Sequence, residues 1–476
     1  MAALLAHAAG LVYHKLGNLD KATHHFRLAI TTDVFCYEAL EILLEYHLLS
    51  AADERLLFQS LDFQGQCGPD AELVRALYVT KLKKFDSVEQ LNPSFELLRT
   101  RYGLSTNGDV LAAHAEALFY QSRFRQCHQV TSGVLERDSF HQGCLLTHIG
   151  CLYELNLKNH LFILSHQLID SYPDRALSWF AVGVYYLLIG RNGEARRHLV
   201  KATTLDANFG PAWLAFGHSF AVDTETDPAL AAYTTSARLL RGCHLPLLFI
   251  GMEHAKSNNP ILADQYFTEA LRLYPYDSLL LNERGVLQYR AGDIAQALRS
   301  FQDALELMTT TAAVSEGRTG GAGDQARPSL KACHLNLGHC YRKLRQYDLS
   351  TASYERALSI DPYCAASLSA LGFVHQIQGR AFNAIECYHQ SLALRPGDSF
   401  SSEMLSRALQ EQLQRPIAQP NLDQGAIAAK VDSLVAGPPQ QQELEEDDDE
   451  EEEIVAGGGG GAGDDDDDDD DMVIEE

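Results

Sequence analysis

SWFAVGVYYLLIGRNGEARRHLVKATTLDANFGPAWLAFGHSFAV, residues 178–222, repeats itself: Trp179 and Gly183 return as Trp213 and Gly217, 34 residues on. Working outward from this stretch, the same step reaches Gly251 and Gly285, and a second pair, Gly338 and Gly372, keeps the same interval. The residues around each glycine recur as well. The last unit carries Leu368, Leu371, Gly372, His375, Ala384, Tyr388 and Pro396. The one before it carries His334, Leu337, Gly338, Tyr341, Ser350, Tyr354 and Pro362.

A 34-residue period with W-x₂-L-G-x₂-Y…A-x₃-F…P is the tetratricopeptide pattern, in which each unit is a pair of antiparallel helices, A and B. The residue types follow from packing. The glycine lies where the two helices approach closely, and Ala195, Ala263, Ala297 and Ala384 serve the same end from helix B. Trp213, Phe267 and Phe301 fill the space beside them, and Pro275, Pro362 and Pro396 end helix B because proline cannot continue it. One hairpin cannot bury its apolar face alone, so neighbours stack into a superhelix. The predicted fold class is therefore all-α, a tetratricopeptide superhelix of antiparallel helix pairs with a disordered acidic C-terminal tail.

Weaker units flank the six. Gly150 and Tyr153 register 33 residues before Gly183, and Ala115, Phe124 and Cys127 mark a unit 35 residues earlier still. Gly10, Tyr13, Gly17, Ala22, Phe26 and Ala29 form a repeat at the front. The reading divides the chain into a repeat and a degenerate helical pair over 1–61, a bridging segment over 62–107 with a helix near Asp70–Lys84, and the superhelix over 108–397. A Thr/Gly/Ala-rich loop is inserted at 310–328. A capping helix follows over 398–415, and a disordered tail over 416–476.

The net charge of −26 is mostly local: Glu443–Glu476 holds 20 acidic residues and no Lys or Arg, leaving 44 acidic against 38 basic residues elsewhere. With no basic stripe, nucleic acid is not an expected partner. No apolar run approaches the ~20 residues of a membrane span, so no membrane partner is expected either. Ten cysteines lack CxxC spacing and fall mostly at apolar repeat positions, which points to a reducing compartment. The histidines, among them His24, His25, His198 and His334, have no carboxylate or cysteine at metal-ligand spacing. No P-loop, nucleotide-binding glycine motif or nucleophile elbow is present. The expectation is no catalytic residue, no cofactor and no metal.

What remains is the inner face of the superhelix, formed by positions 2, 5, 9, 12 and 13 of each helix A. The candidate protein-binding residues are Phe180 and Val184, then Leu214 and His218, then Leu248 and Met252, in three successive repeats. Asn282, Tyr289 and Arg290 follow, then Leu335, His339, Arg342 and Lys343, and finally Phe373. They describe a largely apolar groove, basic at one end, for an extended or helical peptide. Asp at Leu248 and Met252 is expected to abolish peptide capture with helicity intact. An adaptor for acidic chaperone C-termini is the alternative. It would need Lys, Arg and Asn at positions 5 and 9 of neighbouring repeats, where this chain has mostly Leu, Phe, Val, Met and His.

Three segments go beyond the repeat class. SWFAVG and GPAWLAFGHSFA lie within 178–222, RGCHLPLLFIGMEH spans Arg241–His254, and NLGHCYRKLRQY spans Asn336–Tyr347. In this order they resemble subunit 6 of the anaphase-promoting complex, or cyclosome, the cell-cycle ubiquitin ligase. The resemblance is close over Asp174–Phe400 and looser over Ala3–Tyr172. It implies a non-catalytic scaffold in the nucleus and cytoplasm that stacks on other tetratricopeptide subunits and holds a small accessory subunit's N-terminus in the C-terminal groove. It also implies a homodimer through N-terminal repeats, inside which block this chain is expected to start.

Overall fold

The computed structural model describes residues 1–46, 48–82, 88–121, 123–316 and 326–414, and those up to Gln414 form one compact unit. The segment 416–476, expected to be a disordered tail, lies outside the described residues. Helices α1 (Ala2–Lys15) and α2 (Leu19–Thr32) pair at the front, followed by α3 (Tyr37–Glu45) and α4 (Ala51–Ser60). The segment read as a bridge with one helix holds α5 (Phe63–Cys67), a 3₁₀ turn, α6 (Ala71–Lys81) and α7 (Val88–Thr100). The regular array then runs as α8/α9 (Gly108–Tyr120, Phe124–Leu135), α10/α11 (Gln142–Glu154, Lys158–Ser171) and α12/α13 (Ala176–Leu188, Asn192–Leu205). It continues with α14/α15 (Gly210–Val222, Thr226–Leu239), α16/α17 (Leu245–Lys256, Pro260–Leu273) and α18/α19 (Ser278–Ala291, Ile294–Glu316). The last pairs are α20/α21 (Ala326–Lys343, Tyr347–Ile360) and α22/α23 (Ala365–Ile377, Ala381–Leu394), closed by α24 (Ser399–Gln414).

The inserted loop is shorter than the sequence suggests. Helix α19 runs on through Thr309–Thr311 to Glu316, and α20 starts at Ala326, so both helices enter the expected 310–328 loop. The Thr-Thr-Thr-Ala-Ala-Val run contains neither Gly nor Pro, and its alanines favour helix. The remaining loop residues, 317–325, lie outside the described ones.

The repeats from α14 to α23 are each assembled around an aromatic wedge, and in α12/α13 Leu199 takes its place. A Cβ placed on Gly217 would stand 2.3 Å from a ring carbon of Tyr233, and one on Gly285 would stand 2.7 Å from Phe301. The helices are therefore as close as the aromatic ring on helix B permits. Tyr233, Phe267, Phe301, Tyr354 and Tyr388 occupy this wedge position in successive repeats, and all are buried. The alanines four residues before them, Ala229, Ala263, Ala297 and Ala384 among them, are completely inaccessible. The tryptophans have a different task. Trp179 Nε1 donates to the Pro173 carbonyl and Trp213 Nε1 to the Ala207 carbonyl, tying each helix A to the loop that precedes it.

The turn between helices A and B fixes the register. A left-handed residue sits seven positions after each signature glycine: Gly190, Thr224, Asn258, Gly292, Arg345 and Gly379. The same marker at Asn156 puts Ile149, and not Gly150, at the signature position of the α10/α11 repeat. The 33-residue step read from Gly150 is thus a 34-residue step from Ile149. Opposite Ile149 the wedge position holds Ser165, and both are buried. In the preceding unit Ala115 faces Thr131, again fully buried. In the Ile149–Ser165 pair the total volume is kept while the bulk moves from helix B to helix A, a swap that close-packed cores tolerate.

Successive A helices approach one another more closely than successive B helices do, as in α12 with α14, α16 with α18 and α20 with α22. That difference curves the array with the A helices on its concave side.

Candidate protein-binding groove

The predicted inner residues separate by burial. Phe180 and Val184 are buried, sealed under the following repeat, where Phe209 meets Phe180 edge-on at 5.4 Å. Leu248 is completely inaccessible among Ala263, Phe267, Ala270, Leu280 and Leu287. Asn282 is buried, and its side-chain oxygen accepts from Asn336 Nδ2 at 3.0 Å. These four belong to the packing between repeats and, contrary to the expectation from their inner positions, present no surface to a groove. Adjacent A helices close over them. Leu214, His218, Met252, Tyr289, Leu335, His339, Arg342 and Phe373 are half-buried, while Arg290 and Lys343 are exposed.

Three of the predicted residues converge. His339, Arg342 and Phe373 line one cavity of about 980 Å³ at the C-terminal end of the array. Its floor is Ala365, Ala366, Ser369 and Ala370 of α22, small residues that leave the space open. Its far wall is Leu394, Arg395, Pro396, Gly397, Asp398 and Phe400, where the chain passes from α23 into α24. Phe373 and Phe400 meet edge-to-face with ring centroids 5.8 Å apart, and the Arg342 guanidinium lies over Phe373 at 5.2 Å. The result is an apolar slot with two arginines and one carboxylate at its rim. A peptide with an apolar anchor and a polar backbone has the matching chemistry.

The sequence reading missed the floor and the far wall. Ala366 and Ser369 occupy inner positions 2 and 5, so the positional rule reaches them, but small side chains carry no chemical signal of their own. Phe400 lies past the last repeat, where no rule of the period applies.

Two histidines on the inner face are held by the wedge tyrosines. His218 Nδ1 pairs with the Tyr233 hydroxyl and His339 Nδ1 with the Tyr354 hydroxyl, each at 2.8 Å. Burial, helped by Lys256 beside the first and Arg342 beside the second, pushes both histidines down to about 4. Each is therefore neutral in the folded protein at pH 7. Unfolded, they titrate near the ordinary value of ~6.5. Between these pH values the unfolded chain binds more protons, so their contribution is complete above ~6.5 and is lost as pH falls to about 4. At full effect each is worth roughly 3 kcal/mol. The denaturant midpoint is expected to fall from pH 7.5 to pH 5, and His218→Gln with His339→Gln to flatten that dependence. A midpoint equally steep in the double variant contradicts this account.

Among the described residues no group of three or more His, Cys, Asp or Glu could hold a metal ion, and no helix is long and apolar enough to cross a membrane.

Comparison with known proteins agrees with this architecture. The tetratricopeptide repeat family matches residues 5–33 and 332–364. The human cell division cycle protein 16 homolog is 42% identical over 403 residues, covering 84% of this chain. The chain spans 63% of that relative's length. The crystal structure of the APC/C hetero-tetramer Cut9–Hcn1 matches with a TM-score of 0.75 at 37% identity, over 86% of this chain and 76% of that one. Anaphase-promoting complex subunit 6 of Arabidopsis thaliana is 36% identical over 418 residues, which is 86% of this chain. With that identity extending over 74% of the plant subunit, the chain belongs to the anaphase-promoting complex subunit 6 family.

Proposed function

We propose that this chain is a non-catalytic scaffold of the anaphase-promoting complex, the ubiquitin ligase that governs mitotic progression, acting in the nucleus and cytoplasm. Family membership carries the reading, and the wedge-packed array supports it by offering a long, rigid surface for other tetratricopeptide subunits. The C-terminal slot, with its aromatic anchor site at Phe373 and Phe400, receives the N-terminal peptide of a small accessory subunit. The related crystal structure is itself a hetero-tetramer of Cut9 with Hcn1, in keeping with a second type of polypeptide bound to a family member. Homodimerisation through N-terminal repeats is part of the same proposal.

Two measurements test it. Affinity capture of the tagged chain from dividing cells is expected to recover the other subunits of the ligase; their absence would refute the scaffold assignment. Phe400→Asp together with Arg395→Glu removes an anchor and reverses a rim charge at two exposed positions outside every wedge. The pair is expected to weaken capture of the accessory peptide by about 30-fold or more, the scale of a hot spot, with the helical signal unchanged. Undiminished capture would remove the slot from the interface. The chaperone-adaptor reading is disfavoured, since inner positions 5 and 9 mostly hold residues such as Phe180, Val184, Leu214, Leu248, Met252 and Leu335 in place of the Lys, Arg and Asn that would clamp a carboxylate.

A further inference from the structure

In a solenoid each repeat touches its neighbours in sequence. Here the N-terminal block also touches repeats far along the chain. Arg241, in the loop between α15 and α16, donates to Asp20 of α2 across a separation of 221 residues. Gln142, at the start of α10, donates to Glu45, the last residue of α3, at 2.8 Å across 97 residues. The first separation is between six and seven repeat lengths at ~34 residues each.

We propose that these contacts are a clasp that closes one turn of the superhelix and holds the block α1–α4 against the loops that join later repeats. The contacts lie on one seam. The Asp206 carboxylate, in the loop after α13, is close enough for its charge to act on His14 and Tyr46. Tyr120, half-buried at the end of α8, has Glu54 of α4 on one hand and Cys243 and Tyr274 on the other within electrostatic reach. Three consecutive loops, at Asp206, Arg241–Cys243 and Tyr274, therefore present themselves to one block. His14 is buried at the seam, and the Gln142–Glu45 bond lies at its exposed edge.

An exposed ion pair alone contributes about 0–1 kcal/mol. The clasp holds because several weak contacts act together on one block. It sets the pitch of the turn, and with it the spacing of the inner face from α8 to α16.

The test places like charges on the seam. Gln142→Glu with Arg241→Glu opposes Glu45 and Asp20 at two exposed positions outside every wedge. Amide hydrogen exchange in α1–α3 is expected to rise at least tenfold and the radius of gyration to increase, with far-UV circular dichroism unchanged. Adding Asp20→Lys and Glu45→Lys restores attraction and is expected to return both readings toward wild type. Gln142→Ala with Arg241→Ala changes them in the same direction by less, and Arg238→Glu, one turn back on α15, leaves them alone. Wild-type exchange in the like-charge variant, failure of the restoring variant, or an equal response to Arg238→Glu would each overturn the clasp.

Discussion

Replacing Leu248 by Asp will unfold the repeats around it instead of removing a groove contact. The side chain is sealed among Ala263, Phe267, Ala270, Leu280 and Leu287, which belong to α17 and α18. Truncating a buried leucine costs about 2–5 kcal/mol. A carboxylate there has no partner and adds a further desolvation cost of order 1–3 kcal/mol even if it is protonated. In a quasi-one-dimensional array this loss is local at first. Hydrogen exchange in α16–α18 is expected to approach the unprotected rate while the C-terminal repeats keep their protection. Met252→Asp, on a half-buried neighbour, is expected to do far less. A Leu248→Asp protein with the wild-type unfolding midpoint would show the core assignment to be wrong.

This residue also marks how far the sequence could be read. The period, the wedge glycines and the helix-ending prolines are properties of a single chain segment, so Gly183–Gly372 and Pro275–Pro396 placed the helix pairs directly. Burial at position 5 is a property of two helices at once. The positional rule puts Leu248, Phe180 and Asn282 on the inner face, yet the next repeat closes over them, and Leu248 is shared between its own helix B and the next helix A. The curvature that brings it there is not written in any one repeat. The groove was legible where side chains carry charge or aromatic surface, at His339, Arg342 and Phe373. It was silent where the cavity is made by alanines and by a helix outside the period. The bridge over 62–107 was read too sparsely because its helices pack without a glycine wedge and so leave no repeating mark.

The second large effect is a rescue. Gly285→Ile forces a branched side chain into space whose nearest ring carbon is 2.7 Å from the added Cβ, and Phe301→Ser empties the wedge. Overpacking costs about 1–3 kcal/mol, occasionally more, and loss of a buried aromatic about 3–5 kcal/mol. The double variant reproduces the arrangement that Ile149 and Ser165 already use, with the serine hydroxyl free to donate to a carbonyl one turn back, as Ser165 does to Phe162 at 2.8 Å. The two changes are expected to be less damaging together than the sum of the singles by at least ~2 kcal/mol, well outside additivity for independent sites. The measurement is a double-mutant cycle on denaturant unfolding. Additive losses would mean that the bulk cannot be exchanged between helices, and that the Ile149–Ser165 repeat is packed on some other principle.

The long-range bond between Asp20 and Arg241 has a consequence for the order of events during synthesis. A wedge closes over about 16 residues, so each repeat can form as it leaves the ribosome, and low contact order makes that step fast. Asp20 must wait for a partner 221 residues downstream. At translation rates of ~5–20 residues per second the interval is on the order of ten to forty seconds. For that time the front of the array exists as a folded but unclosed segment, its seam open to chaperones or to the same seam on a nascent neighbour.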